Sequence, residues 1–155
     1  MKQANKQWKS MKAMKTDSRC LAPNSSRVYF SLRGDFIPDD LTKAFGLEPT
    51  GTKSAGERIP GKVPVCSHWQ YSIEVKDDEF VDVYELSLKL INQLDPFAER
   101  IAAEVRNRDL SATLQIVLWI TPGEKEPTPA VGFDIDVIKF LAKVKGSIDV
   151  DIYKG

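Results

Sequence analysis

From Arg27 to Arg33 apolar and polar residues alternate, with Val28, Phe30 and Leu32 on one side and Arg27, Tyr29, Ser31 and Arg33 on the other. A period of two marks a strand with one buried face. Gly34-Asp35 predicts a turn. Pro38, Leu41, Ala44 and Phe45 predict a short helix with proline in its first turn, where a missing N–H costs nothing. Gly46 is placed to end that helix in a left-handed conformation, and Pro49 blocks its continuation.

The next fourteen residues, Gly51 to Pro64, hold three glycines and two prolines and predict a long loop. His68 to Val75 alternates again, with Trp69, Tyr71, Ile73 and Val75 inward. Asp77-Asp78-Glu79 puts negative charge where a helix N-terminus favours it. Val83, Leu86, Leu90, Leu94, Phe97, Ile101 and Val105 then recur at spacings of three and four, a helical stripe. Asp95-Pro96 within it predicts a kink or two abutting helices. Thr113 to Ile120 predicts a strand with Leu114, Ile116, Leu118 and Ile120 on one face and Thr113, Gln115, Val117 and Trp119 on the other. After a loop over Thr121 to Pro129, the pattern predicts a short strand at Val131 to Phe133. A helix capped by Asp136 and ended by Gly146 follows. The last strand is Ser147 to Tyr153, with Val150 and Ile152 in the core.

Strand, Gly/Asp loop, short helix and strand occur in both halves of the chain. The expected architecture is therefore α+β: a ferredoxin-like two-layer sandwich of two βαβ halves joined by a long kinked helix, with helices on one face of an antiparallel sheet.

The run Gly34-Asp35-x-x-Pro38, Leu41-Thr42, Phe45-Gly46-Leu47-x-Pro49-Thr50 resembles the start of the bacterial domain-of-unknown-function family numbered 4279. The likeness continues through Lys53 to Gly56, the Trp69 strand, the middle helix and the terminal Asp149-Val150-Asp151-Ile152-Tyr153, over about residues 26 to 153. At Thr52 to Gly56 the chain reads TKSAG, without the second aromatic that often precedes the Lys-Gly pair in that family. The resemblance implies a small bacterial intracellular domain and carries no catalytic residue or cofactor with it.

Composition adds bounds. A chain of 155 residues, 42% hydrophobic, suits a single domain over 26–155 preceded by a basic tail over 1–25. Folding at this size buries roughly 70% of the unfolded surface, so no disulfide or metal is needed. Cys20 and Cys66, without a signal-type apolar core or a run of ~20 apolar residues, point to free thiols in the cytoplasm. The zero net charge is split: the tail holds six basic residues and one acidic (+5), the remainder 16 basic and 21 acidic (−5). The acidic body argues against nucleic-acid binding except through the tail. The tail's Ala4, Trp8 and Met11 also allow a weak amphipathic helix.

No metal or cofactor is expected. Cys66-x-His68 is the only close Cys/His pair, and the chain has one histidine. Gly51 and Gly56 have phosphate-loop spacing, but Glu57-Arg58 stand where Lys and Ser/Thr are required. Lys53, Arg58 and Lys62 remain candidates for meeting an anion. Asp149 and Asp151, two apart on a strand, point the same way. Arg27 and Arg33, on the same face, are expected to neutralise them.

The face opposite the core then carries Arg27, Tyr29, Arg33, Trp119, Asp149, Asp151 and Tyr153. Trp, Tyr and Arg are the residue types of interface hot spots. The first reading is a non-enzymatic protein-binding module, regulatory or immunity-type, or a homodimer through this face. The alternative is a small-ligand or hydrolytic site where the 53–62 loop meets Asp149 and Asp151.

Overall fold

The computed structural model describes residues 25–57, 60–61, 63–73, 82–120 and 129–154. Along them run β1 (Ser25–Gly34), α1 (Pro38–Phe45), β2 (Gly51–Lys53), β3 (Ser67–Ser72), α2 (Val83–Leu94), a 3-10 turn (Asp95–Phe97), α3 (Ala98–Arg108), β4 (Ser111–Ile120), α4 (Ile135–Val144) and β5 (Ser147–Lys154). The basic tail up to residue 24, Arg58, Lys62, Val75, Asp77 to Glu79 and most of the Thr121 loop lie outside the described residues.

The fold is α+β, with one five-stranded sheet in the order β2-β3-β1-β4-β5. β1 pairs antiparallel with β3 and β4, and β2 with β3, but β4 and β5 are parallel. The sheet is therefore mixed, not antiparallel as expected, and a ferredoxin-like arrangement does not describe it. The reason lies in the connections. Between β4 and β5 the chain returns through α4 and can re-enter the sheet in the same direction, as a parallel pair requires. Between β1 and β3 lie α1 and the short β2, and those strands are antiparallel neighbours. Only the second half is a βαβ unit.

The core lies between the sheet and one layer of helices. Val28, Phe30 and Leu32 of β1, Trp69 of β3, and Leu114, Ile116 and Leu118 of β4 meet Leu41 and Phe45 of α1, Leu86, Leu90 and Leu94 of α2, Ile101 and Val105 of α3, and Phe140, Leu141 and Val144 of α4. Trp69 sits edge-on to Phe45 at 5.3 Å between centroids, and its indole N–H donates to Thr42 Oγ1 at 3.3 Å. Arg100 of α3 donates to the Phe45 carbonyl at 2.6 Å, tying α1 to α3 at an end where carbonyls lack helical partners.

Several local expectations hold. Pro38 is in the first turn of α1, and Gly46 takes the left-handed cap with φ 67°. Asp95-Pro96 falls in the 3-10 turn that separates α2 from α3. Others are corrected. The Gly51 loop begins with β2, because Thr50 reaches across to the Gln70 carbonyl and Ser72 and draws Gly51–Lys53 alongside β3. No strand forms at Val131 to Phe133. Asp134, not Asp136, caps α4, its carboxylate accepting from Asp136 N at 2.9 Å. Lys145, not Gly146, adopts the left-handed cap at φ 54°. Val150 and Ile152 are exposed, because β5 is an edge strand that the helical layer does not cover.

Candidate partner-binding face

Among the described residues no helix lies on the other side of the sheet, and the register fixes what stands there. Three rows cross β1, β4 and β5: Tyr29–Gln115–Asp149, Arg27–Val117–Asp151 and Ser25–Trp119–Tyr153. Directly opposed residues in a sheet point to the same side. Arg27, Tyr29, Trp119, Asp149, Asp151 and Tyr153 therefore come together at one end of the helix-free face. Arg33 does not join them. It pairs with Ser111 and His68, beyond the point where β5 begins opposite Thr113.

The side chains form two contacts of different kinds. Trp119 stacks on Tyr153, centroids 5.9 Å apart and planes 19° from parallel. The parallel pairing puts these rings on adjacent strands, β4 and β5, within the range for offset stacking. The Arg27 guanidinium lies over the Tyr29 ring at 5.0 Å, a cation–π contact along one strand. The expected Arg–Asp neutralisation is not among the ion pairs of the described residues, which are Arg108–Glu104, Lys139–Asp136 and Lys143–Glu99. Arg27 and Asp151 share a row but are two strands apart, roughly 10 Å at ~4.8 Å per strand.

Gln115 takes the place expected for arginine. It is buried, and its Nε2 donates to Asp151 Oδ2 at 3.1 Å and to the Asp149 carbonyl at 3.4 Å. Sequence reasoning put Gln115 on this face without giving it a role. Its place in the Asp149 row, one row from Asp151, was the available signal, legible only once β5 was known to neighbour β4.

The ligand-site residues are dispersed. Lys53 lies in β2, at one edge of the sheet, and Asp149 and Asp151 in β5, at the other. Four strand spacings, roughly 19 Å, separate them. Arg58 is outside the described residues. Cys66 is an exposed free thiol, and no three metal-binding side chains converge among the described residues. No described helix is long and apolar enough to cross a membrane.

A second polar cluster joins helices. Tyr84 of α2 donates to Asp134 Oδ2 at 2.5 Å while Asp134 caps α4. The hydrogen bond to the Asp134 carboxylate raises the Tyr84 hydroxyl above its usual value. The Asp136 N–H, followed by Tyr84, lowers Asp134. Both groups are at the surface, and the pair latches α2 to α4.

No curated protein and no solved structure matches the chain. A family model described as a domain of unknown function matches residues 24–155, taking in every described element. On that match, the chain belongs to the DUF4279 family.

Proposed function

We propose that this domain is a non-enzymatic protein-binding module, of a regulatory or immunity type, and that its contact surface is the helix-free face around Trp119 and Tyr153. One observation carries the reading: a stacked Trp–Tyr pair, a Tyr-mounted arginine and two carboxylates without a described cation share one end of the face that carries no described helix. Tyr153 is 52% exposed. Covering the remainder of a side chain of about 150–250 Å² removes on the order of 100 Å² from water, about 2–3 kcal/mol. Trp, Tyr and Arg are the types that supply such anchors. A second copy of the chain and an unrelated protein are both occupants of this kind.

The test is capture from the native host with the tagged full chain, read by mass spectrometry, against Trp119→Ala/Tyr153→Ala. Both rings lie at the sheet margin, so the variant keeps its fold, checked by circular dichroism. A protein enriched by the wild type and lost in the variant supports the reading. Equal capture by both removes it.

A further inference from the structure

The outer edge of β5 has a feature that the face alone does not explain. β5 pairs with β4 on one side, and among the described residues nothing pairs with the other. A strand in that position presents a row of N–H and C=O groups able to template another strand. Its side chains are sorted by face. Ile148, Val150 and Ile152 stand opposite Leu114, Ile116 and Leu118 on the helix side, yet they are 39%, 38% and 54% exposed while their partners are at most 2%.

The cause is the position of α4. Its Lys143 pairs with Glu99, so that flank faces α3. At about 100° per residue, Ile138 lies about 140° around the helix from Lys143, on the flank turned away from α3. Ile138 is also exposed. An apolar row thus borders the open edge, with Asp149 and Asp151 on the reverse.

We propose that β5 accepts an added strand from a partner protein, a segment in which Lys or Arg alternates with branched apolar residues. The inference rests on the protein-binding reading and specifies the chemistry of the partner. An added strand keeps the pleat, so one of its faces meets Ile148, Val150 and Ile152 while the other meets Asp149 and Asp151. Opposite charges directly across a pair are favourable and like charges unfavourable.

The same rule disfavours a second copy. Antiparallel pairing of β5 with itself about a two-fold axis requires paired residues of like face. Centring on Asp149 or Asp151 sets that residue against itself, and centring on Val150 sets Asp149 against Asp151 twice. The remaining registers shorten the overlap. The edge excludes itself and suits a basic strand.

The test uses three ten-residue peptides with the isotopically labelled full chain: one alternating Lys with Ile and Val, one alternating Glu with the same residues, and a scrambled Lys peptide of identical composition. The expected result is that the alternating Lys peptide shifts β5 amides and binds at least tenfold more tightly than the scramble. Asp149→Lys/Asp151→Lys, two exposed positions, should reverse the preference towards the Glu peptide. Equal binding of scramble and alternating peptide, or shifts confined to other strands, overturns the proposal. So do β5 edge amides already protected from exchange in the free monomer, which makes the chain's own basic tail the occupant, or a dimer lost in the double-Lys variant. Host capture that depends on Trp119 and Tyr153 but not on Asp149 and Asp151 leaves the binding module standing and removes the added strand. Capture that depends on neither removes both.

Discussion

Replacing Leu118 and Ile152 in turn with alanine measures where the helical layer stops. The two residues are register partners on the same side of the sheet, and each substitution removes three carbons. Leu118 is 2% exposed. Losing its buried methylenes costs about 2.4 kcal/mol at ~0.8 kcal/mol each, and the cavity left in a packed core brings the total to about 3–4 kcal/mol. Ile152 is 54% exposed. It loses about half the transfer term, with no enclosed void, and a few tenths for poorer strand propensity, about 1–1.5 kcal/mol in all. Urea denaturation followed by far-UV circular dichroism should give equal m-values and midpoints separated accordingly. Thermal midpoints should fall by about 10 °C for Leu118→Ala and about 3–5 °C for Ile152→Ala. An Ile152→Ala cost equal to that of Leu118→Ala would refute the reasoning, because the apolar row of β5 would then be covered in the free protein.

Two further substitutions test the core and the latch. Ser87 is fully buried in α2, and its Oγ has no hydrogen-bond partner among the described residues, so Ser87→Ala should raise stability by about 1 kcal/mol, read from urea midpoints. The latch gives stability a dependence on pH at both extremes. Asp134 is lowered in the fold, so its contribution is present above the unfolded value near 3.9 and is lost as pH falls through the lowered folded value. Tyr84 is raised, so its contribution is present below the unfolded value near 10 and is lost as pH rises through the raised folded value. Tyr84→Phe should abolish the alkaline loss and reduce the acid one, leaving what the Asp136 N–H provides. An unchanged alkaline limb in that variant would locate the titration elsewhere.

What the sequence made legible follows from how local each signal is. The alternation of β1, the Pro38 and Gly46 boundaries of α1 and the break at Asp95-Pro96 each depend on a few neighbouring residues, and each is where the pattern put it. Strand direction depends on the path of the connection, and no residue in β5 records that it lies parallel to β4. The burial of Val150 and Ile152 failed for a related reason. Their alternation is that of a half-buried strand, but an edge strand keeps the pattern without the cover. Asp134 and Asp136 compete for one cap with the same side chain, so spacing alone could not choose between them. For the candidate face, alternation grouped Arg27, Tyr29, Trp119, Asp149, Asp151 and Tyr153. Strand ends, invisible to alternation, left Arg33 aside, and strand order separated Lys53 from Asp149.

The most direct measurement is site-specific photo-crosslinking in the native host. A photoreactive phenylalanine analogue replaces Tyr153 on the helix-free face, and in a control chain it replaces Lys89, exposed on α2 in the opposite layer. The account predicts a discrete protein adduct from position 153 that is absent from position 89, and that weakens when Asp149 and Asp151 are changed to lysine. No adduct from position 153, or the same adduct from both positions, would contradict it.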